Sequence, residues 1–95
     1  MKRKQFNRVC GVLEELFDTY ICSEGYMDSN NRHIVKWGFY PRPYMYKQVI
    51  LFNTITGEYQ VGMIQNDILA TYHEYSAYNI KGLRKILREI YPNLV

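Results

Sequence analysis

The side chains from which nucleophilic or metal chemistry is usually assembled are few in this chain: His33 and His73, Cys10 and Cys22, and the serines Ser23, Ser29 and Ser76. Nucleophilic catalysis needs a Ser or Cys beside a His that an acid orients, and no nucleophile elbow or equivalent motif surrounds these serines. A structural zinc site draws on paired ligand spacings such as C-x-x-C, which Cys10, Cys22, His33 and His73 lack. His73 and Glu74 are adjacent, and adjacent residues on a helix point in different directions, so the pair reads as surface decoration. A phosphate cradle needs a Gly-rich loop opening a helix, whereas the six glycines are scattered. Enzymatic chemistry therefore has the least support, and neither cofactor nor metal is expected.

What the chain offers in place of reactive groups is aromatic surface. Five of the ten residues from Trp37 to Tyr46 are aromatic, with Pro41, Arg42 and Pro43 among them, and Tyr occurs ten times in 95 residues. Rings bearing a hydroxyl or indole N–H suit a boundary that is apolar on one side and wet on the other. Tyr, Trp, Met and Arg are also the types enriched at interface cores and hot spots. Strand alternation divides the cluster. Trp37 and Phe39, in phase with Val35, read as core, while Tyr40, Arg42, Tyr44 and Tyr46 flank a proline turn that leaves them little conformational freedom to lose on binding. Tyr72, Tyr75 and Tyr78 form a second stripe at a spacing of three, read either as core against a sheet or as an exposed ladder of hydroxyls. These seven residues are the candidate protein-binding set.

The formal net charge of +3 is unevenly laid out. Lys2, Arg3, Lys4 and Arg8 stand near the start and Lys81, Arg84, Lys85 and Arg88 near the end, with Glu14, Glu15, Asp18, Glu24 and Asp28 following one another between. Such a layout either steers a partner or pairs internally once the ends fold back on the middle. The last four cations are spaced three and four apart, a basic stripe on the outer face of a helix. Together with Lys36, Lys47 and the sheet aromatics they sketch an alternative, a nucleic-acid binder that stacks bases for about 1–3 kcal/mol each and meets the backbone with cations. Two points weigh against it: alternate strand residues face opposite ways, so the rings cannot share one platform, and charged outer faces on amphipathic helices are ordinary.

The elements that must position these residues follow from periodicity. Phe6, Val9, Cys10, Leu13, Leu16, Phe17, Tyr20 and Ile21 lie on one stripe, predicting a helix from Phe6 to Ile21, with Gly11 as a possible point of close approach. Residues 23–32 are rich in turn formers and read as a loop. Alternating runs His33 to Tyr40, Tyr44 to Phe52 and Glu58 to Ile64 predict three strands, joined by the Pro41-Arg42-Pro43 turn and by a hairpin loop, Asn53 to Gly57, in which Gly57 takes a positive φ. Asn66 or Asp67 is predicted to cap a helix running to about Tyr75, and Asn79 to cap a last helix, Ile80 to Tyr91, that stops before Pro92 with Leu83, Ile86, Leu87 and Ile90 inward.

The expected fold is thus one α+β domain of order α-β-β-β-α-α, a three-stranded antiparallel meander packed by an N-terminal helix and two C-terminal helices. A hydrophobic content of 47% is ample for its core. No stretch approaches the roughly 18 uninterrupted apolar residues of a membrane span. Met1-Lys2-Arg3-Lys4 resembles a signal-peptide n-region, but Asn7, Arg8, Glu14 and Glu15 leave no apolar segment after it. The chain reads as cytosolic, with both thiols reduced and buried. The functional expectation is a non-catalytic inhibitor or adaptor that binds a larger protein or nucleoprotein. Its size and lack of chemical motifs would suit a phage or mobile-element product that blocks a host or defence enzyme. The alternative is a nucleic-acid-binding domain or small transcription regulator, and homodimerisation through a sheet edge is a related possibility.

Overall fold

The computed structural model describes residues 3–21, 26–27, 31–39 and 47–92. The elements in chain order are α1 (Arg3–Leu16), β1 (Thr19–Ile21), β2 (Tyr26–Met27), β3 (Arg32–Phe39), β4 (Gln48–Asn53), β5 (Tyr59–Gln65), β6 (Ile68–Ala77) and α2 (Ile80–Ile90). All strand pairings are antiparallel. The sheet runs β1-β3-β4-β5-β6, with β2 lying beside β3 on the same side as β1. The expected meander is therefore its middle, β3-β4-β5. The mixed α+β character is as expected, and the order and helix placement differ.

Two stretches expected to be helical are strands. The first helix ends at Leu16, where the Phe17 N–H still bonds to the Leu13 carbonyl. The Thr-Tyr-Ile run that continues the apolar spacing instead pairs with β3, Thr19 opposite Phe39 and Ile21 opposite Trp37. These are β-forming residue types, and the ladder satisfies their backbone where the helix would have left its last carbonyls open. The second correction is larger: the segment predicted as a helix from Asn66 or Asp67 to Tyr75 is β6. Asn66 and Asp67 both adopt positive φ, 51° and 62°, and so form a two-residue hairpin turn of the kind that joins twisted strands. Asn and Asp serve equally as helix caps and as left-handed turn residues, which is why the pair pointed both ways.

β6 is irregular in a way that explains its helical spacing. Gln60 faces Ser76 and Gly62 faces Thr71, so two steps along β5 match five along β6, and the strand bulges over residues 72–75. Tyr72 and Tyr75, three apart, both reach the core across the bulge. Of the two readings of the tyrosine stripe, core or exposed ladder, these two residues follow the first.

The helices cover one face of the sheet. Val9, Val12, Leu13 and Leu16 from α1 and Leu83, Ile86 and Leu87 from α2 are buried against Val35, Trp37, Ile50, Tyr59 and Val61. At about 1.5–3 kcal/mol for each fully buried large side chain, this layer dominates stability. A smaller cluster, Ile34, Val49 and Leu51 with Ile64 and Leu69 against it, occupies the other face. α1 and α2 run side by side in the same sense: Gln5 and Arg8 share a groove with Asn79 and Ile80, Arg84 meets Glu15, and Phe17 meets Tyr91. Among the described residues, no helix is long and apolar enough to cross a membrane.

Candidate interaction surface

The groove at the N-terminal end of the helix layer is built from three elements. Gln5 and Arg8 of α1, Phe52, Gly57 and Tyr59 of the β4–β5 hairpin, and Tyr78, Asn79 and Ile80 at the junction of β6 with α2 enclose an open volume of about 610 Å³. Its inner side is fixed. Tyr59 is buried, its ring packs on Phe52 with centroids 4.9 Å apart, and its hydroxyl accepts a hydrogen bond from the Gln5 side-chain amide.

Its lining includes one large side chain mostly in solvent, Tyr78 at 67% exposure, and Ile55, 75% exposed, stands on the hairpin loop from which Gly57 reaches the groove. Both stand on ordered backbone. The Asn53 side-chain oxygen accepts from the Ile55 and Thr56 amides at 2.8 and 3.0 Å, the Gly57 N–H reaches the Asn53 carbonyl at 2.9 Å, and Thr54 bonds back to the Asn31 carbonyl. Gly57 has φ of 77°, as the sequence predicts for this loop. Asn79 caps α2 as expected, its side chain accepting from the Gly82 N–H at 2.7 Å, so Tyr78 is clamped between the end of a strand and a helix cap. A Cβ on Gly82 would stand 2.8 Å from that of Ala77, so this junction is closely packed.

A second groove, also about 610 Å³, continues from Asn79 along the outer face of α2, lined by Lys81, Gly82, Arg84, Lys85, Arg88 and Glu89. The basic stripe is thus in place, with one member engaged: both Nε and Nη2 of Arg84 donate to Glu15 Oε2, at 3.2 and 3.1 Å. Lys81, Lys85 and Arg88 are exposed. α2 holds four cations against Glu89 alone, so the whole formal excess of +3 resides in this helix and the rest of the chain is neutral.

The other expected residues fall elsewhere. Tyr40, Arg42, Tyr44 and Tyr46, with the proline turn between them, lie outside the described residues, as does Cys22. Trp37 is fully buried under the helices, as strand phase predicts. Lys36 lies on the opposite sheet face, in phase with Ile34 and opposite Val49, and Lys47 is exposed just before β4. The sheet lysines and the α2 stripe are therefore on different sides of the sheet. Cys10 is half-buried, where the sequence predicts a buried thiol. Gly11 has open space around it, so the close approach anticipated there does not occur. Among the described residues, no three His, Cys, Asp or Glu side chains converge on a point where a metal could sit.

Sequence reading missed Ile55 and the floor of the groove. Ile55 carried a signal, an apolar residue between two threonines in a turn, where nothing in the strand pattern needs one.

At the far end of α2 the rings do the opposite. Phe17 stacks on Trp37 at 5.5 Å, Tyr91 meets both edge-on at 5.9 and 5.6 Å, and the Tyr91 hydroxyl donates to Gln48 Oε1 at 2.6 Å. Burial, and after it the neighbouring Tyr72 phenol, push the ionisation of Tyr91 well above the ordinary tyrosine range.

Fold and surface together define a small α+β domain with an apolar-rimmed groove and an adjoining cationic helix face. Comparison with protein-family models, curated proteins and solved structures gives no match.

Proposed function

We propose that this chain is a binding module, an inhibitor or adaptor that acts by occupying a larger protein, with the groove between α1, the β4–β5 hairpin and the start of α2 as its contact surface. The observation that carries this reading is Tyr78, exposed in the lining of an open groove, with a second exposed apolar side chain, Ile55, on the hydrogen-bonded loop that supplies Gly57 to it. Preordered backbone lowers the entropy cost of binding, and an aromatic with a polar tip is a common hot-spot residue. The role first sketched for the proline turn thus has a counterpart at the Asn53 to Gly57 loop. The test is a pulldown with the full chain from the native host's lysate beside an Ile55→Ser/Tyr78→Ser variant of equal thermal stability. A discrete partner retained by the first and lost by the second is the expected result. Identical recoveries from both would remove the groove from the reading.

A second reading, nucleic-acid binding, rests on the concentration of the formal charge excess in α2. With Arg84 engaged by Glu15, three cations remain on α2, which by themselves give a salt slope of about 2.7 on duplex DNA, weak for a dedicated binder. The buried Trp37 takes no part in base stacking. Titrating a fluorescent oligonucleotide against salt decides it: a slope well above that value revives this reading.

A further inference from the structure

Resting on the groove as a protein-binding surface, we infer that its partner is an acidic polypeptide segment with an apolar anchor, which seats the anchor against Tyr78, Phe52 and Ile80 and lays its carboxylates along Lys81, Lys85 and Arg88.

Three independent features converge on that chemistry. The two grooves share Asn79 and form one continuous surface, apolar at one end and cationic along the other. Among the described residues, Glu89 is the only carboxylate lining either of them, against Arg8, Lys81, Arg84, Lys85 and Arg88. The electrostatics of the helices add to this. α1 and α2 run in the same sense, so the positive ends of both dipoles lie at this end of the layer, and neither helix has an acidic residue in its first turn. Lys4 stands in the first turn of α1 and Lys81 in the first turn of α2. Cations at helix N-termini oppose the dipole and work against helix stability, and a local rule broken twice at one end of a molecule marks a surface shaped for something other than folding. An anionic partner supplies the missing compensation.

The apolar rim selects a polypeptide over a nucleic acid. Ile80 and Tyr78 offer an aliphatic and an aromatic contact at the head of the stripe, and three cations along less than three helical turns match a short run of carboxylates better than a polyphosphate tract.

The test uses the full chain and four fluorescent probes: three short peptides sharing a central Phe-Leu anchor flanked by Glu and Asp, by Ser and Gln, or by Lys and Arg, and an oligothymidine. Anisotropy gives affinities and amide chemical shifts give the site. The acidic peptide is expected to bind about ten-fold or more tightly than the neutral one, with shifts at Tyr78, Asn79, Lys81 and Lys85. Lys81→Gln/Lys85→Gln/Arg88→Gln should abolish the preference among peptides, and Tyr78→Ser should weaken all three. If the neutral peptide binds the groove as well as the acidic one, the acidic class falls and the binding-module reading stands. If only oligothymidine shifts these amides, or no probe does, both fall.

Discussion

Tyr78 and Tyr91 flank the same helix, α2, and are used in opposite ways. Tyr91 closes the C-terminal end, edge-on to Phe17 and Trp37, with its hydroxyl spent on Gln48. Tyr78 precedes the N-terminal cap and stands in solvent beside an open groove. The difference shows that tyrosine content alone does not locate a binding surface in this chain. Tyr59, Tyr72, Tyr75 and Tyr91 are buried or half-buried in the helix-covered core, and their contribution is packing. At the N-terminal end of α2 a large ring is left outside although the backbone around it is fully organised. Such exposure on hydrogen-bonded supports is what the proposed contact surface rests on.

The strongest way to break the comparison is to empty its buried end. Trp37 is fully buried and holds both Phe17 and Tyr91, so Trp37→Ala should lose about 3–5 kcal/mol. That is a large share of the roughly 5–15 kcal/mol typical of a domain, and urea denaturation will show it as a shifted midpoint. Next in size is Gly62→Ala. A Cβ on Gly62 would collide with the Ala70 carbonyl oxygen on β6. The close approach at this point immediately precedes the bulge that turns Tyr72 and Tyr75 inward. Forcing the strands apart should destabilise by about 1–3 kcal/mol, and near-ultraviolet circular dichroism should report loosened tyrosines. Equal stability of this variant and the parent would mean that the inner rings do not depend on the β5–β6 contact.

How far the sequence reveals this division depends on the element. α2 is legible throughout, because an Asn cap, an apolar stripe at three and four and a following proline all agree. The β4–β5 hairpin is legible for the same reason, with Gly57 where a positive φ is needed. β6 is not, because a bulged strand brings residues three apart to one face and so imitates a helix. The enrichment of Thr71, Tyr72 and Tyr75, types that favour strands, was the contrary signal. The candidate surface is legible only in part. The basic stripe and Tyr78 stand in the sequence, but the groove joins residues from α1, a hairpin and a strand-helix junction, and no local pattern encodes that meeting.

A smaller effect separates the ends by pH. Tyr91→Phe removes the hydroxyl bonded to Gln48 and should lose about 0.5–1.5 kcal/mol near neutrality. Because folding raises the ionisation of Tyr91 above its unfolded value near 10, the folded state keeps a proton that the unfolded state releases. Its contribution is complete below that pH and falls as pH rises beyond it. Stability of the parent chain should therefore decline on the alkaline side, and Tyr91→Phe should flatten that decline even though it is less stable at pH 7. Parallel curves for the two proteins in alkaline urea titrations would show that Tyr91 is not the group responsible.

The smallest effect on stability should come from the outward ring, and there the comparison is sharpest. Tyr78 lies in solvent, and its neighbours Ala77 and Asn79 are positioned by the β6 ladder and by the Asn79 cap rather than by its side chain. Tyr78→Ser should therefore change unfolding free energy by no more than about 0.5 kcal/mol, while weakening capture of the anchored acidic peptide by about ten-fold, equivalent to about 1.4 kcal/mol of binding. The two ends of α2 would then separate cleanly, Trp37→Ala acting on stability and Tyr78→Ser on binding at constant stability. A loss of stability in Tyr78→Ser comparable to that of Tyr91→Phe would place this ring in the packing as well, and the exposed end of α2 would lose its claim to be a surface kept for a partner.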